Sequence, residues 1–328
     1  MTNQSAPPTS EPVDRRPQVN LGPTGRGGDR LFSGLARGSG LAVIALVTFV
    51  GVFLLAFAVP ALQRNEANFL FSREWAPSFV PPRFGVAGIF YTTILTSAFA
   101  LLLAVPVAVG VALFITQYAP KRLAQPVIYI IDLLAAVPSI IFGLWGIKQL
   151  APVLAPVCSW LSETFNWFPL LQPGLADNGT IFVAGIVLAI MILPIITAIT
   201  REVFAATPIA HKEAAQALGA TKWETIRMTV FPYGRSGMVS AAMLGLGRAL
   251  GETIAIMIIL SKPSTLDAFN PSLFFGGETF ASKIANNASE FDSPEKTGAY
   301  IAAGLVLFVV TFVVNAIARI VVERGRST

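Results

Sequence analysis

One cysteine and one histidine in 328 residues remove several kinds of chemistry from consideration. Cys158 alone cannot close a disulfide within the chain, and Cys158 with His211 makes too poor a ligand set for a zinc or haem site. Cys158 reads as a small apolar packing residue, and His211 as a solvated or docking histidine in a polar loop. No G-x4-G-K-[ST] phosphate loop occurs, so the chain lacks an ATPase of that type. No paired-carboxylate, Ser/His or metal constellation marks a membrane enzyme. Charge is scarce as well: 12% of residues are charged, against about 25% in a soluble domain. A net charge of +5 would suit nucleic acid, but the basic residues are not clustered with aromatics, and no nucleic-acid partner is expected.

What is present is apolar. The chain is 54% hydrophobic, its mean hydropathy is +0.67, and its apolar runs approach the roughly 20 residues that span about 30 Å of hydrocarbon as a helix. The expected architecture is all-α and membrane-embedded, with six transmembrane helices. Residues 1–38, with five prolines and five arginines, read as a disordered tail. The following run, Leu41 to Leu62, is too long for a secretory signal and reads as the first span. The others are expected over 88–116, 126–150, 181–199, 238–260 and 298–322. The stretch 151–171 is apolar, but Pro152, Pro156, Glu163 and Pro169 interrupt it, so it reads as non-spanning or re-entrant. Residues 39–85 then form the first span and its outer loop, 86–322 the main transmembrane domain, and 323–328 a cytoplasmic end.

The positive charges set the orientation. With the N-terminus in the cytoplasm, 15 Lys/Arg fall inside and 7 outside, and Arg248 lies within a span. The positive-inside rule thus expects a multi-pass plasma-membrane protein with both termini cytoplasmic. Trp75, Trp160 and Trp167 suit the outer interface. No repeat of solenoid length and no inverted-half symmetry is visible.

Three ionisable residues fall inside expected spans: Asp132, Arg248 and Glu252. On an uninterrupted helix Arg248 and Glu252 lie one turn apart on one face, shared with Ala241, Gly245 and Ala255. An arginine at mid-membrane costs about 2.5–3.5 kcal/mol on insertion scales. Two readings stand: a cation on the route of an anion held by Glu252, or a structural ion pair locking helices. Asp132, near the cytoplasmic end of its span, is a weaker pathway candidate. Pro138-Ser139 frees a backbone carbonyl and adds a hydroxyl, which suits either a permeation route or a packing kink. Gly247 and Gly251 form a G-x-x-x-G about 100° around the same helix, consistent with close helix contact.

Between the fourth and fifth spans the polar loop has room for two short helices. Glu213-Ala214-Ala215 starts the first, Gly219 supplies a turn, Lys222–Met228 can form the second, and Pro232 is expected to end it.

This loop resembles the E-A-A-x3-G-x9-I-x-L-P motif of binding-protein-dependent ABC importer permeases, through Glu213, Ala214, Ala215, Gly219 and Pro232. Thr229 and Phe231 stand where isoleucine and leucine are usual. RALGETIAI at 248–256, AAVPSIIFGLWG at 135–146, and the segment 88–120 resemble permeases of the phosphate-specific transport system. The long segment between spans three and four and the GLWG at 143–146 resemble its C-type more than its A-type subunit.

The resemblance covers about 86–322 and implies a type I ABC importer permease fold with a coupling loop. It implies a heterodimer with an A-type permease, an ATPase dimer holding ATP and magnesium, and an extracytoplasmic phosphate-binding protein. The chain itself would be neither an enzyme nor a cofactor carrier. Glu213, Ala214, Ala215 and Gly219 would dock the ATPase. Arg248 and Glu252, with Ser139 and Asp132 as further candidates, would line the phosphate path. Sulfate or molybdate import is the near alternative. An ion-coupled secondary transporter explains the buried charges but not the loop.

Overall fold

The computed structural model describes residues 26–174, 179–260 and 270–324. Expectations for the tail before Arg26, for Lys262 and for residues 325–328 lie outside the described residues. By packing, the chain divides into two units, 1–50 and 51–328.

Helix α1 runs Arg26–Arg64. It begins well inside the stretch expected to be disordered. The last proline before it is Pro23, so nothing stops the helix from extending back from the apolar run once that run has nucleated it. Helix α2, Ala87–Leu113, passes through Pro106 and ends in a π turn, Phe114–Tyr118, where 88–116 was expected to span.

The expected third span is not one helix. Lys121–Ala136 forms α3 and Ser139–Trp145 forms α4. Between them Val137 is extended (φ −68, ψ 128), as the residue before a proline prefers. From α4 the helical path continues through a π turn, Gly146–Leu150, into α5, Ala151–Thr164. Most of the stretch expected to be broken by prolines is therefore helical, and 139–164 is long and apolar enough to cross a membrane. Helix α6 runs Ile181–Ala205, α7 Ile209–Ala217 and α8 Lys222–Thr225. A third π turn, Ile226–Val230, leads into α9, Phe231–Gly251, followed by α10, Ile254–Ile259. Helices α11, Phe280–Asn286, and α12, Pro294–Arg324, complete the set. Among the described residues five helical runs have the length and apolarity of a span. The expected 238–260 span is interrupted at Glu252.

Helix α6 is the centre of the second unit, with Ala184, Val187, Leu188, Ile192 and Ile196 all buried. Helix α2 lies against it through Ala100, Ala104, Ala108 and Ala112. That four-residue period puts the small side chains in one row and lets the backbones approach. Helix α9 meets α6 through another small-residue row. A Cβ on Gly234 would lie 2.8 Å from the Phe204 ring, one on Gly237 2.4 Å from Val203, and one on Gly245 2.7 Å from Ile196. The helix contact expected at Gly247 and Gly251 is made by this row instead: a Cβ at either of those glycines meets nothing within 4 Å.

The Ile181 end of the bundle is closed by extended chain. The Leu273 N–H donates to the Leu170 carbonyl (2.9 Å), and the N–H groups of Phe182 and Ile181 donate to the carbonyls of Leu273 (2.8 Å) and Phe275 (2.9 Å). Residues 272–277 are buried, so these bonds satisfy backbone groups that water cannot reach. A Cβ on Gly174 would stand 1.8 Å from the Phe274 carbonyl oxygen. Gly174→Ala must therefore displace backbone, at a cost of about 1–3 kcal/mol or more. The expected result is a lowered melting temperature of the purified protein; an unchanged one would show that the 272–277 segment moves aside freely. A two-stranded ribbon, β1 Trp75–Ala76 with β2 Arg83–Phe84, packs Trp75 and Phe84 beside Ala299 and Tyr300 of α12.

Candidate functional site

Two groups of candidate residues occupy different parts of the bundle. The first is the polar loop after α6. Helix α7 stops in a Schellman arrangement: the Ala220 N–H donates to the Ala215 carbonyl (3.1 Å) and the Gly219 N–H to that of Gln216 (2.9 Å). Gly219 has φ +84, the sole positive φ among the described residues. Helix α8 starts at once with a capping box. Thr221 Oγ1 accepts from the Glu224 N–H (3.4 Å), while Glu224 Oε2 accepts from the Thr221 N–H (2.8 Å). Hydrogen bonds from Thr221 hold the exposed Glu224 carboxyl below its ordinary pKa. The sequence signal for this cap is T-x-x-E at 221–224.

Glu213, Ala214 and Gly219 are exposed, and Ala215 is buried. Ile209, Leu218, Trp223 and Met228 are exposed apolar side chains on the same loop. Its other side is anchored. Ile226 and Val230 pack with Ala112, Leu113 and Phe204 at the Arg201 end of α2 and α6. Phe231 stands edge-on to Phe204 and Trp223 (centroids 6.0 and 6.2 Å). Lys222 Nζ sits 4.6 Å from the Tyr118 ring centroid. The aromatic ring at Phe231, where leucine is usual, thus fills the joint. Pro232 does not end a helix: it occupies the first turn of α9, where its missing N–H has little cost. The buried hydroxyls of Thr197 and Thr200 in α6, and of Thr207 and Thr225 in the loop, have no hydrogen-bond partner among the described residues.

The second group surrounds the break in the fifth span. Helix α9 stops at Gly251, and Glu252 is extended (φ −68, ψ 125). The helical register that placed Arg248 and Glu252 one turn apart therefore does not reach Glu252. Among the described residues no ion pair joins them. Glu252 Oε1 instead accepts from the Ala255 N–H (3.4 Å) and caps α10. Glu252 is half-buried, and Arg248 is exposed at the edge of an open face of α9 formed by Ser240, Leu244, Gly247 and Gly251.

Ser139 begins α4 just after the other break, and α4 packs on α10. Their crossing rests on the GLWG glycines. A Cβ on Gly143 would lie 3.0 Å from Ala255 Cα, and one on Gly146 2.8 Å from Val187 and 3.0 Å from Ile259. The two breaks, at 137–138 and 252–253, thus flank two short helices in contact. Asp132 is exposed on α3, which packs on α6 and on the π turn Phe114–Tyr118; among the described residues no ion pair links it to Arg248.

The arrangement is thus a bundle wrapped on α6, with a glycine-capped loop and a broken helix bearing an arginine. Residues 104–327 match the family described as binding-protein-dependent transport system inner membrane component, and the chain belongs to that family. It is similar at 53% identity, over 97% of both chains, to "Phosphate transport system permease protein PstC 2" of Mycobacterium tuberculosis. It is 55% identical to "Phosphate transport system permease protein PstC" of Mycobacterium leprae, over 89% of this chain and 92% of that one. In fold it resembles a bacterial alginate ABC transporter chain (TM-score 0.53, 19% identity, covering 90% of this chain and 99% of that one). The inward-facing MetNI methionine ABC transporter gives a TM-score of 0.52 at 15% identity, over 73% and 95% of the two chains. The type I importer permease fold is thereby shown.

Proposed function

We propose that this chain is one permease subunit of an ATP-driven importer of inorganic phosphate. The observation that carries the reading is identity above one half, over nearly the whole chain, with relatives named as phosphate transport permeases. The geometry supports the parts. The exposed apolar side chains around the Glu213–Gly219 turn suit docking of an ATPase subunit, which would hold ATP and magnesium. That turn is joined through α8 and a π turn to α9, so a push on the loop can reach Arg248. The open face of α9, with Gly247 and Gly251 bare, suits close packing by a second, A-type permease. Arg248 at its edge then enters the seam between subunits, where an anion could pass. Glu252 and Ser139, at the two helix breaks, are the next candidates for that route, and Asp132 the least supported. On the distribution of Lys and Arg, the polar loop and both termini would lie in the cytoplasm, and an extracytoplasmic phosphate-binding protein would deliver the substrate.

The test is uptake of labelled phosphate at low micromolar concentration in cells with and without this chain, with excess sulfate as competitor. Loss of ATP-dependent, sulfate-insensitive uptake on deletion is expected. Uptake that sulfate or molybdate suppresses would assign the permease to another oxyanion.

A further inference from the structure

We infer that the segment 148–171 is a hairpin seated in the headgroup layer of the bilayer, with Trp160 and Trp167 in lipid. The inference rests on the membrane fold and not on phosphate. Helix α6 supplies the ruler. From Ile181 to Thr200 it carries no charge, and Arg201-Glu202 follow. Twenty helical residues rise about 30 Å, the thickness of the hydrocarbon core, so Ile181 marks one boundary. Gly146 packs against Val187, which lies six residues, or about 9 Å, inside that boundary.

The run 139–164 heads toward the same boundary, at about 1.5 Å per residue. Lys148 then lies about 6 Å inside it, within reach of an extended lysine stem that carries its ammonium to the interface. Lys148 is exposed and has no ion pair among the described residues, as such a role requires. Residues near 152 reach the boundary; an α5 along the bilayer normal would carry Trp160 about 12 Å beyond it, so seating Trp160 in the headgroup layer requires α5 to tilt well toward the bilayer plane. The headgroup layer adds roughly 5–7 Å on each side.

The surface of the hairpin fits that depth. One face of α5 is held by the protein: Ala151 and Ser162 are buried, and Leu154 packs on the core. The opposite face bears Val153 (71% exposed), Val157 and Trp160 (59%), at three- and four-residue spacing. Trp167 (74% exposed) and Phe168 follow in the return limb, and Trp160 is edge-on to Phe165 (6.1 Å). Between Lys148 and Leu171 the sole charge is Glu163. A transient protein-docking surface is more polar than this, whereas exposed tryptophans beside aliphatic residues are the composition of an interfacial belt.

The full-length chain is reconstituted in nanodiscs of phosphatidylcholine, either plain or brominated near the headgroup end of the acyl chains. Wild type is compared with the W160F/W167F variant, which keeps an apolar aromatic ring at both exposed positions. Brominated lipid is expected to quench wild-type emission, and the variant should lose the larger share of that quenchable signal; aqueous iodide should quench wild type no more than the variant, since both keep the exposed Trp223 of the polar loop. Emission from these two residues that iodide quenches and brominated lipid does not would place the hairpin in water and overturn the inference. Iodide quenching that disappears when an extracytoplasmic binding protein is added would identify a protein-docking surface instead, and would equally overturn it.

Discussion

Arg248→Gln is expected to bring ATP-dependent phosphate uptake down by about ten- to a hundredfold or more, while the chain still inserts and assembles. A charge-assisted hydrogen bond to an oxyanion contributes about 1.5–3 kcal/mol, which corresponds to that range. The structure makes the substitution a clean one. Arg248 is not paired with Glu252, whose carboxylate is engaged at the start of α10. Removing the guanidinium therefore strands no buried carboxylate, the usual reason that breaking an intramembrane pair unfolds a protein. Gln is shorter but keeps a polar, hydrogen-bonding side chain at the position. Arg248→Lys should retain part of the uptake, since a point charge still attracts an anion but loses the fork of donors. The measurement is initial uptake, with assembly checked by co-purification. Normal uptake in Arg248→Gln would remove Arg248 from the path and leave it a role only at the subunit seam.

The apolar runs were legible because composition and length alone decide them; 181–199 and 298–322 lie within observed helices. The turn at Gly219 was legible too, because a single glycine between two helix formers has few other uses. The break at Glu252 was not. Gly251, Glu252 and Thr253 include no proline, and a helical wheel runs through them without resistance. The prolines misled in the other direction. Each of the three π turns is followed two residues later by a proline: Pro120 after Phe114–Tyr118, Pro152 after Gly146–Leu150, and Pro232 after Ile226–Val230. A proline clashes with the carbonyl four residues back. Those carbonyls belong to Thr116, Lys148 and Met228, inside the π turns. At Pro152 and Pro232 the wider turn carries that carbonyl away from the ring, so these prolines begin helices where the sequence suggested that helices end; before Pro120 the chain has already left the helix at the extended Ala119. Arg248 could be picked out from its cost in a membrane, but its exposure at the edge of an open face depends on how α9 packs on α6, which a helical wheel does not show.

Gly219→Leu is the substitution expected to separate ATP hydrolysis from transport. At φ +84 a leucine pays for its Cβ against the backbone, by about 1–2 kcal/mol. Nothing in the surroundings adds to this, since a Cβ at Gly219 meets no atom within 4 Å. The effect is thus confined to the backbone of the turn. Leucine can relieve it only by leaving the left-handed region, which breaks the bonds from Ala220 to Ala215 and from Gly219 to Gln216 and rotates α7 against α8. Helix α8 is fixed by its capping box and by Lys222 over Tyr118, so α7 is the part that swings, taking Ile209 and Leu218 with it. The expected result is a complex that assembles poorly or hydrolyses ATP without moving phosphate. Gly219→Asn provides the control, because asparagine tolerates the left-handed region: it should keep coupling close to wild type. Leucine and asparagine variants that are both uncoupled would point to a loss of side-chain-free surface at the docking contact rather than to the turn. A leucine variant that couples normally would show that α7 is not the element the ATPase grips.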